Sequence, residues 1–445
     1  MNDLRSRFRN LDNLRAPDLW RDAHARAAAA GPLPGRASWV LILAALVLAL
    51  LISGAALAGA GILTLPALVE QSVTPRPSAE PNPVPGWVAG STMPTILGSP
   101  STFIGDTTAT LLPDGRALVV GGPRSELFDP ATGRWTSTGA LVQPRRQHVA
   151  TLLADGRVLV VGGGADLDGE TPSRSAELFD PTTQTWSATG SMLVARSAPT
   201  ATLLLDGRVL VAGGASMGDS FAPSIASAEL FDPATGTWSA AADMIVARVG
   251  HTATLLRDGR VLVAGGTTSD GWSGLTSAEL FDPTTGIWTA APDMATARAE
   301  HTATLLPNGQ VLIVGMGSGE LYDSTSNAWF PTGPTVQPNY ADYPNDAPEN
   351  AYETATLLPD GRVLVAGGGA EICCVPLTTA MAQLYDPSSR TWSRTESMLE
   401  PRGGHIAILL SDGRVLVVAG WSRDPLQRGS KSVARTVEFY TADHG

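Results

Sequence analysis

An Asp-Gly or Asn-Gly pair returns seven times along the chain, at Asp114, Asp155, Asp206, Asp258, Asn308, Asp360 and Asp412, at intervals of 41, 51, 52, 50, 52 and 52 residues. A chain that repeats itself at such a period is confined to architectures in which one supersecondary unit is copied, because no single unit can bury its own apolar face. The unit from His251 to Met294 shows what is copied. HTATLL and RVLVA are β-branched and aliphatic runs on either side of Asp258-Gly259, which predicts two antiparallel strands joined by a two-residue hairpin turn with positive φ at both central positions. Gly265-Gly266 follows, then a loop of variable length, the run SAELFDP, a short TTG turn and a last strand that opens at Trp288. One unit is therefore four strands, and the expected fold class is all-β.

The tryptophans set the blade count and the closure. Trp135, Trp186, Trp238, Trp288, Trp329 and Trp392 each follow an LFDP-like run, whereas the seventh such run, at Glu438 to Thr441, has no Trp after it. Trp87 stands alone before the first unit, and its six-residue interval to Met93 matches those of Trp186 to Met192, Trp238 to Met244, Trp288 to Met294 and Trp392 to Met398. Trp87 to Met93 is thus the strand missing from the last unit. A period near 50 residues, with a diglycine and a late Trp, resembles the kelch repeat from Trp87 to Tyr440. That resemblance implies one propeller blade per repeat, hence a seven-bladed kelch-type β-propeller closed by its N-terminal strand, over residues 87–445.

Ahead of the repeats the composition changes. Trp39 to Val69 holds no charged side chain, while about 20 apolar residues suffice for a helix to cross a bilayer. We read 38–69 as a single transmembrane helix and signal anchor. Residues 1–37 form a cytoplasmic tail of short amphipathic helices, because Arg outnumbers Asp there and positive charge stays inside. The propeller is then extracytoplasmic. The competing reading is a cleaved signal peptide and a secreted protein, with Ala56-Leu57-Ala58 as the cleavage site. Residues 70–86, rich in proline, form a stiff linker. The chain carries a net charge of −12, which disfavours nucleic acid as a partner.

Within a blade, the Asp-Gly turns and the Pro-x-Thr-Gly turns share one uniform face, and the second-to-third loops and blade-to-blade connections share the opposite, variable one. Binding is expected on the variable face, as loops on a rigid scaffold commonly provide it. Aromatic residues without a repeat role, Trp272, Trp421, Phe221, Tyr340, Tyr343 and Tyr352, are candidate ligand contacts there. Asp342, Asp346 and Glu353 make the fifth-to-sixth connection acidic, and Glu353 takes the position held by His148, His251, His301 and His405 in other units. Those histidines are expected to be structural, since equivalent positions of separate blades lie too far apart to ligate one ion. The recurrent Arg three residues before them is expected to pair with the Glu of the third strand, as in Arg298 with Glu320. Cys373 and Cys374 are adjacent, which leaves a vicinal disulfide, an intermolecular pair and free thiols open.

These readings describe a membrane-anchored kelch propeller that binds a protein or a glycan through its variable face, with no catalytic residue, metal or cofactor. The alternative is a copper oxidoreductase resembling galactose oxidase, whose central domain is also a kelch-type propeller. That resemblance would require a Tyr-His neighbour pair and a Cys-linked Tyr; no Tyr precedes a His in this sequence.

Overall fold

The computed structural model describes residues 86–93, 107–164, 171–216, 223–268, 274–315, 317–336, 352–372, 375–423, 431–434 and 436–442. The tail, the expected membrane segment 38–69 and almost all of the linker lie outside them. Among the described residues, no helix is long and apolar enough to cross a membrane.

Seven four-stranded antiparallel sheets account for the repeats. Blade 1 is built from Thr107–Leu111, Ala117–Gly121, Arg124–Asp129 and Arg134–Ser137, hydrogen-bonded in that order. The first strands of blades 2 to 7 are Val149–Leu152, Thr200–Leu203, Thr252–Leu255, Thr302–Leu305, Thr354–Leu357 and Ile406–Leu409. Each touches the next, and the last touches the first, so the first strands enclose a central channel. Blade 7 takes its fourth strand from the N-terminal side: Trp87–Ala89 pairs antiparallel with Glu438–Tyr440, Trp87 opposite Tyr440. Closure of the ring by this pairing joins the two ends of the domain and removes an open edge.

The burial of each strand follows its composition. Second strands such as Val261–Ala264 are apolar throughout and buried on both sides, whereas fourth strands such as Thr237–Ala240 lie at the rim and are largely exposed. The core sits between blades rather than within them. Leu210 and Ala212 of blade 3, for example, pack against Val261, Val263, Phe281 and Trp288 of blade 4. The repeat Trp stacks obliquely on the aromatic residue of its third strand, Trp288 on Phe281 at 5.0 Å and Trp87 on Tyr440 at 5.2 Å. Except in Trp135, its indole N–H reaches back to the preceding blade, from Trp288 to the carbonyl of Ala242 and from Trp238 to that of Gly190. The Trp therefore fixes both a strand pair and a blade-to-blade distance.

Two local expectations need correction. The Asp-Gly connection is a three-residue hairpin loop, not a two-residue one. Pro113, Asp114 and Gly115 lie inside the last hydrogen-bonded pair, in which the Leu112 N–H donates to the Arg116 carbonyl; Gly115 alone has positive φ (84°), and its N–H donates to the carbonyl of Leu112. This is a type I turn followed by a left-handed residue. Asp114 needs no positive φ because its carboxylate accepts the Arg116 N–H and pairs with the Arg116 guanidinium at 2.7 Å. The fifth-to-sixth connection also starts later than Pro331, since the fourth strand of blade 5 continues to Pro334, with a register irregularity opposite Ser318 and Glu320.

Candidate functional site

On the variable face the repeat residues first build its foundations. Arg145, Arg196, Arg248, Arg298 and Arg402 reach Glu177, Glu229, Glu279, Glu320 and Glu438 at 2.6, 2.7, 2.6, 2.9 and 2.6 Å. All five guanidinium groups are fully buried. Each is also held by carbonyls: Arg248 donates to Gly265 and Ser277, and Arg298 to Gly315 and Ser318. The carboxylate in turn accepts two backbone N–H groups of the incoming connection, as Glu279 does from Ile245 and Val246. Buried charges survive only when paired and hydrogen-bonded in this way. The clamp ties a blade-to-blade connection to the second-to-third loop of the blade it enters, placing both on one face.

Two blades lack the clamp. In blade 6 Gln383 stands in place of Glu and accepts the Val336 N–H at 2.9 Å. In blade 1 Glu126 keeps the carboxylate, is 1% exposed, and neither of its oxygens has a hydrogen-bond partner. The position that supplies Arg elsewhere is Ile104, outside the described residues.

The recurrent histidines bridge blades. His148, His251, His301 and His405 each meet, through Nε2, a threonine hydroxyl of the preceding blade: Thr108, Thr200, Thr252 and Thr354, at 2.9 to 3.0 Å. Burial, with the nearby Arg as a second cause, pushes these imidazoles down to about 3, so they are neutral. Between blades 2 and 3 both partners are replaced together, by Val149 and Pro199. Between blades 5 and 6 only one is replaced. Glu353 takes the His position, yet Thr302 turns its hydroxyl to the Val314 carbonyl, and Oε2 of Glu353 has no partner. Glu353 is 6% exposed, and burial pushes its carboxyl up to about 8.

Immediately before each of these positions the chain turns left-handed. Gln147, Ala198, Gly250, Glu300, Tyr352 and Gly404 all have φ between 47° and 66°. Glycine is the residue that tolerates this conformation without strain, and blades 4 and 7 use it. A bulky residue such as Tyr352 in this region is an outlier that marks strain or function. These residues stand at the variable-face end of the first strands and form the rim of the channel. Backbone bonds run along it, from the Glu300 N–H to the Gly250 carbonyl, from Tyr352 to Glu300 and from Gly404 to Tyr352. Solvent reaches Glu300, but the protein around it still desolvates its carboxyl and raises the pKa.

The non-repeat residues gather beside blades 6 and 7. The second-to-third loops there carry two-stranded ribbons, Gly369–Ile372 with Val375–Thr378, and Trp421–Arg423 with Lys431–Val433, and the two ribbons lie against each other. Trp421 meets Tyr352 edge-on, with ring centroids 6.5 Å apart. Tyr352, Glu353 and Trp421 are thus brought together on this sector. The other candidates, Trp272, Phe221, Tyr340, Tyr343, Asp342 and Asp346, lie outside the described residues, as do Cys373 and Cys374. Sequence reading missed Gln147 and Glu300, whose rim position is signalled only by their place one residue before the His column. It also missed the ribbons, which replace what reads as irregular loop.

Residues 108–315 match a family model described as the KLHDC2/KLHL20/DRC7 Kelch-repeats domain. An F-box/kelch-repeat protein of Arabidopsis thaliana is 41% identical over 73 residues, a match spanning 16% of this chain and 18% of the plant protein. A solved fungal alcohol oxidase of the AA5 family, in complex with copper, superposes with a TM-score of 0.58 at 17% identity, over 79% of this chain and 76% of that one. At that identity the likeness is one of fold. Among the described residues, no three His, Cys, Asp or Glu are grouped to hold a metal, and the four histidines occupy four separate seams on threonine partners. Residues 108–315 are a kelch-repeat domain, and the ring they belong to is a seven-bladed β-propeller.

Proposed function

We infer that this protein is a non-catalytic binding module that takes a protein or glycan ligand on the variable face of its propeller, and that residues 38–69 anchor it in a membrane with the propeller outside the cytoplasm. One observation carries the reading. The charged repeat residues of that face are consumed in buried clamps and seams, while the elements that differ between blades, the paired ribbons and the Tyr352–Trp421 contact, stand together on one sector of it. Exposed aromatic residues on a rigid support are common hot spots of recognition. The anchor rests on the uncharged run from Trp39 to Val69 and on the Arg-rich segment before it.

The test is affinity capture from a membrane and envelope fraction with the full-length protein, beside a Trp272→Ala, Tyr343→Ala, Trp421→Ala triple variant. A partner kept by the wild type and lost by the folded variant supports the reading; equal capture by both would move recognition off this face. Protease added to sealed cells should digest the propeller, and protection of the propeller would reverse the topology. The copper-oxidase alternative has fold likeness behind it, and copper bound stoichiometrically by the purified protein would favour it.

A further inference from the structure

Among the described residues, the buried carboxylate of Glu353 at the seam of blades 5 and 6 has no cation paired with it. The five fully buried Arg side chains described at this end of the propeller are each committed to their own Glu and to carbonyls. Arg298, the cation whose charge reaches Glu353, is among them. Glu353 differs from every clamped carboxylate: it is 6% exposed, and Oε2 accepts nothing. Segment 337–351, which precedes it in the sequence, contains Asp342, Asp346 and Glu349 and no Lys or Arg. Blade 5 also has the shortest second-to-third connection of the neighbouring blades, its strands pairing as far as Gly315 with Ser318. It carries no two-stranded ribbon, whereas blades 6 and 7 do. Tyr352 is held left-handed on the rim, bonded through its N–H to the Glu300 carbonyl and set edge-on against Trp421.

An uncompensated buried carboxylate and two aromatic rings are the elements that recognise an organic cation. We propose that the rim over blades 5 and 6 binds a primary ammonium group, a lysine side chain or an amino terminus of a ligand, with Glu353 as its counter-charge and Tyr352 and Trp421 as the aromatic wall. This deepens the binding reading of the variable face and rests on it for the location.

The experiment uses the full-length protein and n-butylammonium as probe, followed by saturation-transfer NMR, with n-butanol and matched sodium chloride as controls and n-butylguanidinium and calcium as competitors. Saturable binding of butylammonium but not butanol is expected, weakened about tenfold or more in Glu353→Gln, which removes the counter-charge. Glu353→His restores the residue of the other seams and is the fold control. It should melt no lower than the wild type and should also lose the probe. Binding that is unchanged in both variants, or no better than sodium, overturns the inference. Displacement by calcium or guanidinium at lower concentration than butylammonium overturns the choice of ammonium. Probe binding and partner capture both intact in Glu353→Gln would refute this inference and leave the binding function standing, whereas loss of both supports it and ties the partner to the amine site.

Discussion

Replacing Glu353 with Gln isolates one carboxyl whose ionisation the fold resists. Its pKa stands at about 8 against an ordinary 4.5, and burial is the largest cause. A raised folded-state value means that the group's contribution is fully present below pH 4.5 and is lost as pH rises through about 8. With about 1.4 kcal/mol per pH unit, the carboxyl costs the native state about 1 kcal/mol at pH 5, about 3 kcal/mol at pH 7 and about 5 kcal/mol at pH 9. Gln keeps the shape and cannot ionise. The charged groups near the site are Arg298, already clamped to Glu320, and Glu300 on the rim, and neither changes between the two proteins. Denaturant unfolding of wild type and Glu353→Gln at pH 5, 7 and 9 should therefore show a gap in favour of the variant that widens by several kcal/mol across the range. A gap that stays constant with pH would show that Glu353 is not desolvated in the folded protein and would refute the reasoning.

Three further outcomes follow from the geometry. Arg298→Ala should lower stability by about 3–5 kcal/mol, because it strands the buried Glu320, whereas Arg260→Ala, which removes a half-exposed turn pair with Asp258, should cost about 1 kcal/mol or less; equal melting shifts would contradict the clamp. The neutral histidines, at about 3 against 6.5, have depressed values, so their stabilisation is present above pH 6.5 and is lost as pH falls towards 3; His251→Gln should make the loss between pH 7 and pH 4 shallower by about 3 kcal/mol in acid unfolding. Glu126→Gln should raise the melting temperature at neutral pH, by about 1–3 kcal/mol of stability, because it removes an unpartnered buried carboxylate; a destabilised Glu126→Gln would mean that the carboxylate has a partner.

Much of the fold was legible because it is periodic. The Trp-to-Met interval placed Trp87 in the last blade, and the strand pairs there with Glu438–Tyr440. The concerted change of Arg and Glu to Asn350 and Gln383 in blade 6 signalled a pair that five of the other blades bring to contact. Where residues depart from the period one at a time, the sequence gives no partner to read. Glu353 could be seen to replace His, but its missing contact with Thr302 and its burial follow from how two neighbouring blades meet. Gln147 and Glu300 look like ordinary loop residues until left-handed backbones, passed from blade to blade, set them on the channel rim.

The sequence by itself determined the number of blades, the strand order and the closure, since each depends on alternation, turn chemistry and spacing within about fifty residues, and these are local properties. Only the tertiary structure decided which polar groups are satisfied. That outcome depends on ring closure, which carries each blade's Arg, His or Glu onto the carbonyls and hydroxyls of a neighbouring loop or blade. It leaves Glu126 and Glu353 as the two clamp or seam carboxylates without a matching charge among the described residues.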